Sequence, residues 1–193
     1  MRAELKHIDK KFTEQGATYY AETVEEDIPE QVNWWSKFAL CLVRQMGGDH
    51  KNPHVTKTSL QVNSQHLKDI LKETVEKYPG VSFATQQITI DKPYHVLFHY
   101  RTELEDAGSK LEKDSEASQH LNLLLEFIED EFEDQIEEAE NLLPEGLVTY
   151  DNLWTIFKPS TILVGPVHGQ PRAFKLNSYQ YNYDPAALFL VSL

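Results

Sequence analysis

His95 and His99 stand four residues apart in "PYHVLFHYRTELE", a spacing that places two imidazoles on one face of a helix. A zinc protease of the His-Glu-x-x-His kind needs a glutamate beside the first histidine, and Val96 occupies that position. The pair therefore reads as packing or hydrogen-bonding histidines. A stand-alone enzyme or metal-binding protein using them, or the carboxylates of the acidic helix, is the alternative. Glu129/Glu133 and Asp130/Asp134 are carboxylate pairs at the same spacing, but a di-metal helical centre also needs Glu-x-x-His motifs, which this chain lacks. Cys41, His50 and His54 fall short of a zinc set, since a fourth ligand is missing. Ser64, Ser160 and Ser178 have no base visible in the sequence, and no Gly-x-Ser-x-Gly elbow is present. No glycine is followed directly by lysine, so a Walker A loop is absent too. The expectation is a chain with no catalytic residue, no metal and no cofactor.

Charge is more informative than motif. The 193 residues carry a formal net charge of −13. Thirteen of the 31 acids fall between Asp114 and Phe157, a stretch without Lys or Arg, so the remainder is balanced at 18 of each sign. Nine acids crowd Glu126 to Glu140 and read as a solvated face that meets a basic protein partner. Glu126, Asp130, Glu133, Asp134 and Glu137 are its candidate contact residues. Such a surface repels phosphate backbones, which disfavours nucleic acid. Neither a secretory h-region nor an apolar run of spanning length occurs, so no membrane association is expected. A single cysteine, Cys41, suits a reducing compartment. An intracellular location follows, with cytoplasm and nucleus not distinguished.

The elements that would position these residues follow from periodicity. "VNWWSKFALCLVRQM" reads as a helix, capped by Asn33 and stopped by Gly47. "SLQV" suits a short strand. A helix follows, capped by Asn63 or Ser64 and carrying Leu67, Ile70, Leu71, Val75 and Tyr78 on one face up to Pro79-Gly80. "VSFATQQITI" reads as a strand, and Pro93 opens a further helix. From Ser118 to Leu143 the apolar stripe Leu121, Leu124, Leu125, Ile128, Phe132, Ile136, Ala139 predicts one long acidic amphipathic helix. "STILVGPV" and "RAFKLNSYQYN" flank "HGQP" as a hairpin. The fold class expected is α+β, with helices packed on a small, mainly antiparallel sheet. Residues 1–57 read as a partly ordered arm, 58–183 as the domain and 184–193 as an apolar tail.

Between the acidic helix and the hairpin lies "VTYDNLWTIFKPSTILV". Thr149 or Asp151 can cap a short helix in which Leu153, Trp154 and Phe157 converge, ended by Lys158-Pro159. Tyr150, Leu153, Phe157 and Pro159 read as structural. Trp154 reads first as a core anchor seating the hairpin against the helix, and alternatively as a partly exposed ledge for a partner.

Taken in order, "VNSQHLKDILKETVEKYPGVSF", "ITIDKPYHVLFHYRTELE", "HLNLLLEFIEDEF" and "GLVTYDNLWTIFKPSTILV…GQPRAFKLNSY" resemble the uncharacterised domain upstream of the ATPase module in fungal AAA+ ATPases. The shared features are Tyr78-Pro79-Gly80, Pro93-Tyr94 with His99, and Tyr150, Leu153, Trp154, Phe157 and Pro159, over roughly residues 58 to 183. The resemblance implies a non-catalytic accessory domain that recognises a substrate or adaptor protein, or regulates a motor. It also implies an ATPase module in full-length relatives. The family's catalytic positions have no counterpart in this sequence. The ending "YNYDPAALFLVSL" departs from the family's polar strand pattern, and suggests a truncated product, a fragment without independent activity or an altered reading frame.

Overall fold

A computed structural model describes residues 1–13, 17–22, 34–48, 54–75, 77–181 and 188–192. The fold is α+β, and the chain divides into two compact units. The first holds residues 1–77 and 81–130, the second 78–80 and 131–193.

In the first unit, strands β1 (Arg2–Phe12), β2 (Thr18–Glu22), β3 (Phe38–Gly47), β4 (His54–Val62) and β5 (Ile88–Asp91) form a sheet in the order β2-β1-β3-β4-β5. Only β1 and β3 run parallel; the other three pairings are antiparallel. The stretch before residue 58 thus supplies β1, β2, β3 and the start of β4. Register explains the core. Leu40 faces Val62, Leu60 faces Ile90 and Val62 faces Ile88, so five residues share one face and none is more than 1% exposed. A second cluster gathers Ile8, Phe38 and Cys41 with Trp34, flanked by Tyr20, Trp35 and Val43.

Residues 34–47 correct the sequence expectation. They form a 3-10 turn, Trp34–Lys37, followed by β3, the middle strand, and not a helix. Phe38 to Cys41 are four consecutive residues at 4% exposure or less. A strand covered on both faces has no alternating pattern, so such a run cannot be told from a buried helix by periodicity alone. Asn33, its expected cap, lies outside the described residues, as do His50 and residues 182–187 of the hairpin-to-tail segment.

Helices α1 (Gln65–Thr74), α2 (His95–His99), α3 (Arg101–Ser109) and α4 (Glu116–Glu131) complete this part of the chain. Ser64 caps α1, its Oγ accepting from the Leu67 amide. The expected single helix after Pro93 breaks at Tyr100, whose φ of −112° and ψ of 11° leave the helical region.

The second unit begins where the expected long acidic helix also breaks. Phe132, at φ −120° and ψ 21°, separates α4 from α5 (Glu133–Leu142). No Pro or Gly marks the break. Phe132 is 4% exposed, with its ring 5.8 Å from that of Trp154, so burial of the ring accompanies the interruption. Helix α5 ends as expected at Pro144 and Gly146. Gly146 adopts a left-handed φ of 71°, and the Leu147 amide donates to the Leu142 carbonyl, satisfying a terminal acceptor.

Strands β6 (Ile162–Val167), β7 (Gln170–Tyr181) and β8 (Leu188–Ser192) form an antiparallel sheet in that order. His168 and Gly169 both have positive φ, 50° and 76°, the two-residue turn that matches strand twist. The apolar ending finds backbone partners here, since β8 pairs with β7 from Leu176↔Ser192 to Tyr181↔Leu188.

Candidate functional site

The acids proposed as contacts occupy exposed positions. Glu126 and Asp130 lie on α4, opposite the buried Leu121, Leu124 and Ile128. Glu133, Asp134 and Glu137 are exposed on α5. Among the described residues no Lys or Arg forms an ion pair with any of these five. Glu133 and Asp134 sit in the first turn of α5, where a helix dipole favours negative charge. That local role accounts for two of the five. Like charges at i,i+4, as in Glu126/Asp130 and Glu133/Glu137, oppose helix formation and gain nothing from within the helix.

One carboxylate of α5 that finds hydrogen-bond partners, Glu138, is one the sequence did not single out. Glu138 Oε1 accepts from Thr149 Oγ1 at 2.6 Å and from the Thr149 amide at 3.3 Å, while Oε2 accepts from Asn152 Nδ2 at 2.8 Å. These bonds, that from Thr149 first, hold the Glu138 carboxyl below its ordinary pKa. They also correct the capping expectation. Thr149 turns to Glu138, and a 3-10 turn, Leu153–Ile156, starts after Asn152 with no side-chain cap.

Trp154 is buried at 7% exposure, so it forms no open ledge. Pro159 is buried, Leu153 and Phe157 are half-buried, and Tyr150 is 38% exposed. Phe157 reaches the hairpin, with its ring 6.2 Å from that of Tyr179.

His95 and His99 lie on α2 as their spacing requires, with ring centroids 6.5 Å apart. Burial lowers the His95 pKa to about 4, so this imidazole is neutral at physiological pH. Cys41 is fully buried; its Sγ contacts Trp35 O and Asn63 Nδ2, each at 3.5 Å. Burial pushes its thiol up to about 11, which suppresses the thiolate that nucleophilic or metal chemistry requires. Among the described residues no group of three or more His, Cys, Asp or Glu is arranged to hold a metal ion.

One constellation is brought together by folding alone. Ser64 Oγ lies 2.7 Å from His120 Nδ1, and Glu116 Oε1 lies 3.8 Å from His120 Nε2. Glu116 Oε2 is 3.8 Å from His66 Nε2. Serine, histidine and glutamate in sequence suggest a nucleophile, base and orienting acid. The environment argues otherwise. Ser64 is 0% exposed and its oxygen already accepts from Leu67, while His120 is 1% exposed. A hydroxyl sealed from solvent and engaged as a helix cap cannot reach a substrate. Burial lowers the His120 pKa, which favours the neutral ring, and its Nδ1 shares a hydrogen bond with Ser64 Oγ. Only the capping signal at Ser64 was legible in the sequence; His120, 56 positions away, was not.

Among the described residues no helix is long and apolar enough to cross a membrane. A family model described as a domain of unknown function, DUF7025, matches residues 138–189. This segment runs from Glu138 through the Trp154 turn and into β8. No curated protein and no solved structure matches the chain significantly.

Proposed function

We propose that this chain is a non-catalytic accessory domain of an AAA+-type protein, and that it engages a basic protein partner. The observation that carries this reading is the set of exposed acids on α4 and α5 without cationic partners among the described residues. Carboxylates so placed stay in contact with water, and a basic segment laid against either helix's set gains attraction that salt weakens. The sequestered Ser64–His120 pair and the neutral Cys41 thiol further support a binding role over a catalytic one. The resemblance over residues 58 to 183 supplies the AAA+ context, and a substrate, an adaptor or the motor itself is the partner class.

The test compares wild type with two neutralised variants, Glu126→Gln/Asp130→Asn on α4 and Glu133→Gln/Asp134→Asn/Glu137→Gln on α5. Affinity capture followed by a salt titration should show partners that at least one variant loses and that dissociate as ionic strength rises. Partner sets identical for all three proteins would overturn the acidic contact. A substrate-turnover activity removed by His95→Ala or His99→Ala would overturn the non-catalytic reading.

A further inference from the structure

Outside these surfaces, one cleft combines a recessed shape with cations in an otherwise acidic protein. It encloses about 480 Å³ and lies between helix α1 and the loop that precedes β5. Gln65, Lys68, Asp69 and Lys72 form one wall. Their spacing of three, four and seven places them on a single helix face, opposite the buried Leu67 and Leu71. Phe83, Ala84, Thr85 and Gln86 form the other wall.

Both walls are held in shape by contacts of their own. Thr85 Oγ1 donates to the Gln87 carbonyl at 2.8 Å and also approaches the Ser82 carbonyl at 3.3 Å, which closes the loop on itself. Phe83 is 8% exposed and anchors the loop inward. On the helix, Gln65 Nε2 donates to Asp69 Oδ1 at 2.8 Å, which occupies part of the one carboxylate in the cleft. Two ammonium groups then outweigh it. Neither Lys68 nor Lys72 forms an ion pair among the described residues. Last-turn placement on α1 gives Lys72 a favourable helix-end interaction, but Lys68 lies a turn earlier and has no such local explanation.

We propose that this cleft binds a small phosphate-bearing anion. The volume falls in the range of small-ligand sites, the lining combines one aromatic with amide, hydroxyl and ammonium groups, and the two lysines supply charge-assisted donors suited to a dianion. A dicarboxylate offers flatter, less concentrated charge and gains less from two lysines on a single helix face. The inference is independent of the acidic contact on α4 and α5, since none of those residues lines the cleft.

Titrating isotope-labelled protein with inorganic phosphate, and separately with phenyl phosphate, tests it through amide chemical shifts. The expected result is saturable shifts concentrated at residues 65–72 and 83–86 with both probes. In Lys68→Gln/Lys72→Gln, affinity should fall on the order of tenfold or more, from loss of two charge-assisted contacts. Lys57→Gln, which removes a lysine paired with Asp91 outside the cleft, should leave the titration unchanged. The altered lysines are on the solvent side of α1, and unchanged spectral dispersion verifies folding. Shifts that fail to saturate, that spread evenly over the surface, or that persist undiminished in the double variant would overturn the proposal.

Discussion

Ser64 and His120 are joined by a 2.7 Å hydrogen bond between a helix-capping hydroxyl and a buried imidazole. One oxygen thereby performs two tasks. It accepts the Leu67 amide that opens α1, and it hydrogen-bonds the ring that α4 carries inward. Removing it leaves an uncapped helix start and a buried nitrogen without its partner.

Ser64→Ala should therefore cost more than a cap alone. A lost cap is worth about 1 kcal/mol and an orphaned buried polar nitrogen about 1–3 kcal/mol, so about 2–4 kcal/mol is expected. Urea unfolding checks the value. A double-mutant cycle with His120→Phe should return a coupling of about 1 kcal/mol or more. Additive single losses would show that the pair does not act as a unit.

Asp9 and Arg44 face each other across the parallel β1/β3 pairing, and the guanidinium reaches both carboxylate oxygens at 2.8 and 3.1 Å. The Asp9 side chain is 6% exposed and that of Arg44 is 34% exposed. Asp9→Asn should destabilise by about 2–3 kcal/mol, since it removes a charge-assisted bidentate contact and leaves Arg44 partly desolvated. Replacing both, Asp9→Leu with Arg44→Met, should recover part of that loss in the same denaturation assay. A double variant weaker than Asp9→Asn would contradict this account.

Stability should fall on mild acidification. His95 has a folded pKa of about 4 against 6.5 when free, and burial lowers His120 in the same direction. Between those values the unfolded chain binds protons that the folded chain refuses. The stabilisation is thus complete above pH 6.5 and is lost as pH falls toward the folded pKa. Unfolding midpoints measured from pH 7 to 5 should decline less steeply in His95→Gln than in wild type. Parallel profiles would remove His95 from the explanation.

Trp154→Ala separates a packing role from a binding one. The buried ring beside Phe132 predicts a loss of about 3–5 kcal/mol, from transfer and cavity terms together. Differential scanning calorimetry should show the lowered transition. A variant with unchanged melting but lost partner capture would instead make Trp154 a contact residue.

Glu138→Ala should loosen the segment from Thr149 to Asn152 without altering α5. Hydrogen exchange at the Thr149 amide, which donates to this carboxylate, is the direct readout. Protection equal to wild type would mean that the turn holds itself.

Where local rules and burial agreed, the sequence could be read. The stripe of Leu121, Leu124 and Ile128 predicted α4, Asn63 or Ser64 predicted the start of α1, and "HGQP" marked the hairpin, whose turn is His168-Gly169 with Gln170 and Pro171 already in β7. The helix expected within residues 32–46 failed because an uninterrupted apolar run has no period, and its neighbours in the sheet come from β1 and β4. Phe132 was assigned to an unbroken helix because nothing in its own segment opposes one. Thr149 was expected to cap the turn that follows it, yet a carboxylate eleven positions earlier competes for it.

From sequence alone came the charge segregation, the absence of a nucleotide-binding loop and the α+β character, because composition and short-range periodicity carry them. Tertiary structure decided which strand lies at the centre of the sheet, which acid is tied down and which remain exposed, and that a serine, a histidine and a glutamate meet where solvent does not. Each of those depends on contacts between residues far apart in the chain, and their energies are invisible until folding brings the partners within reach.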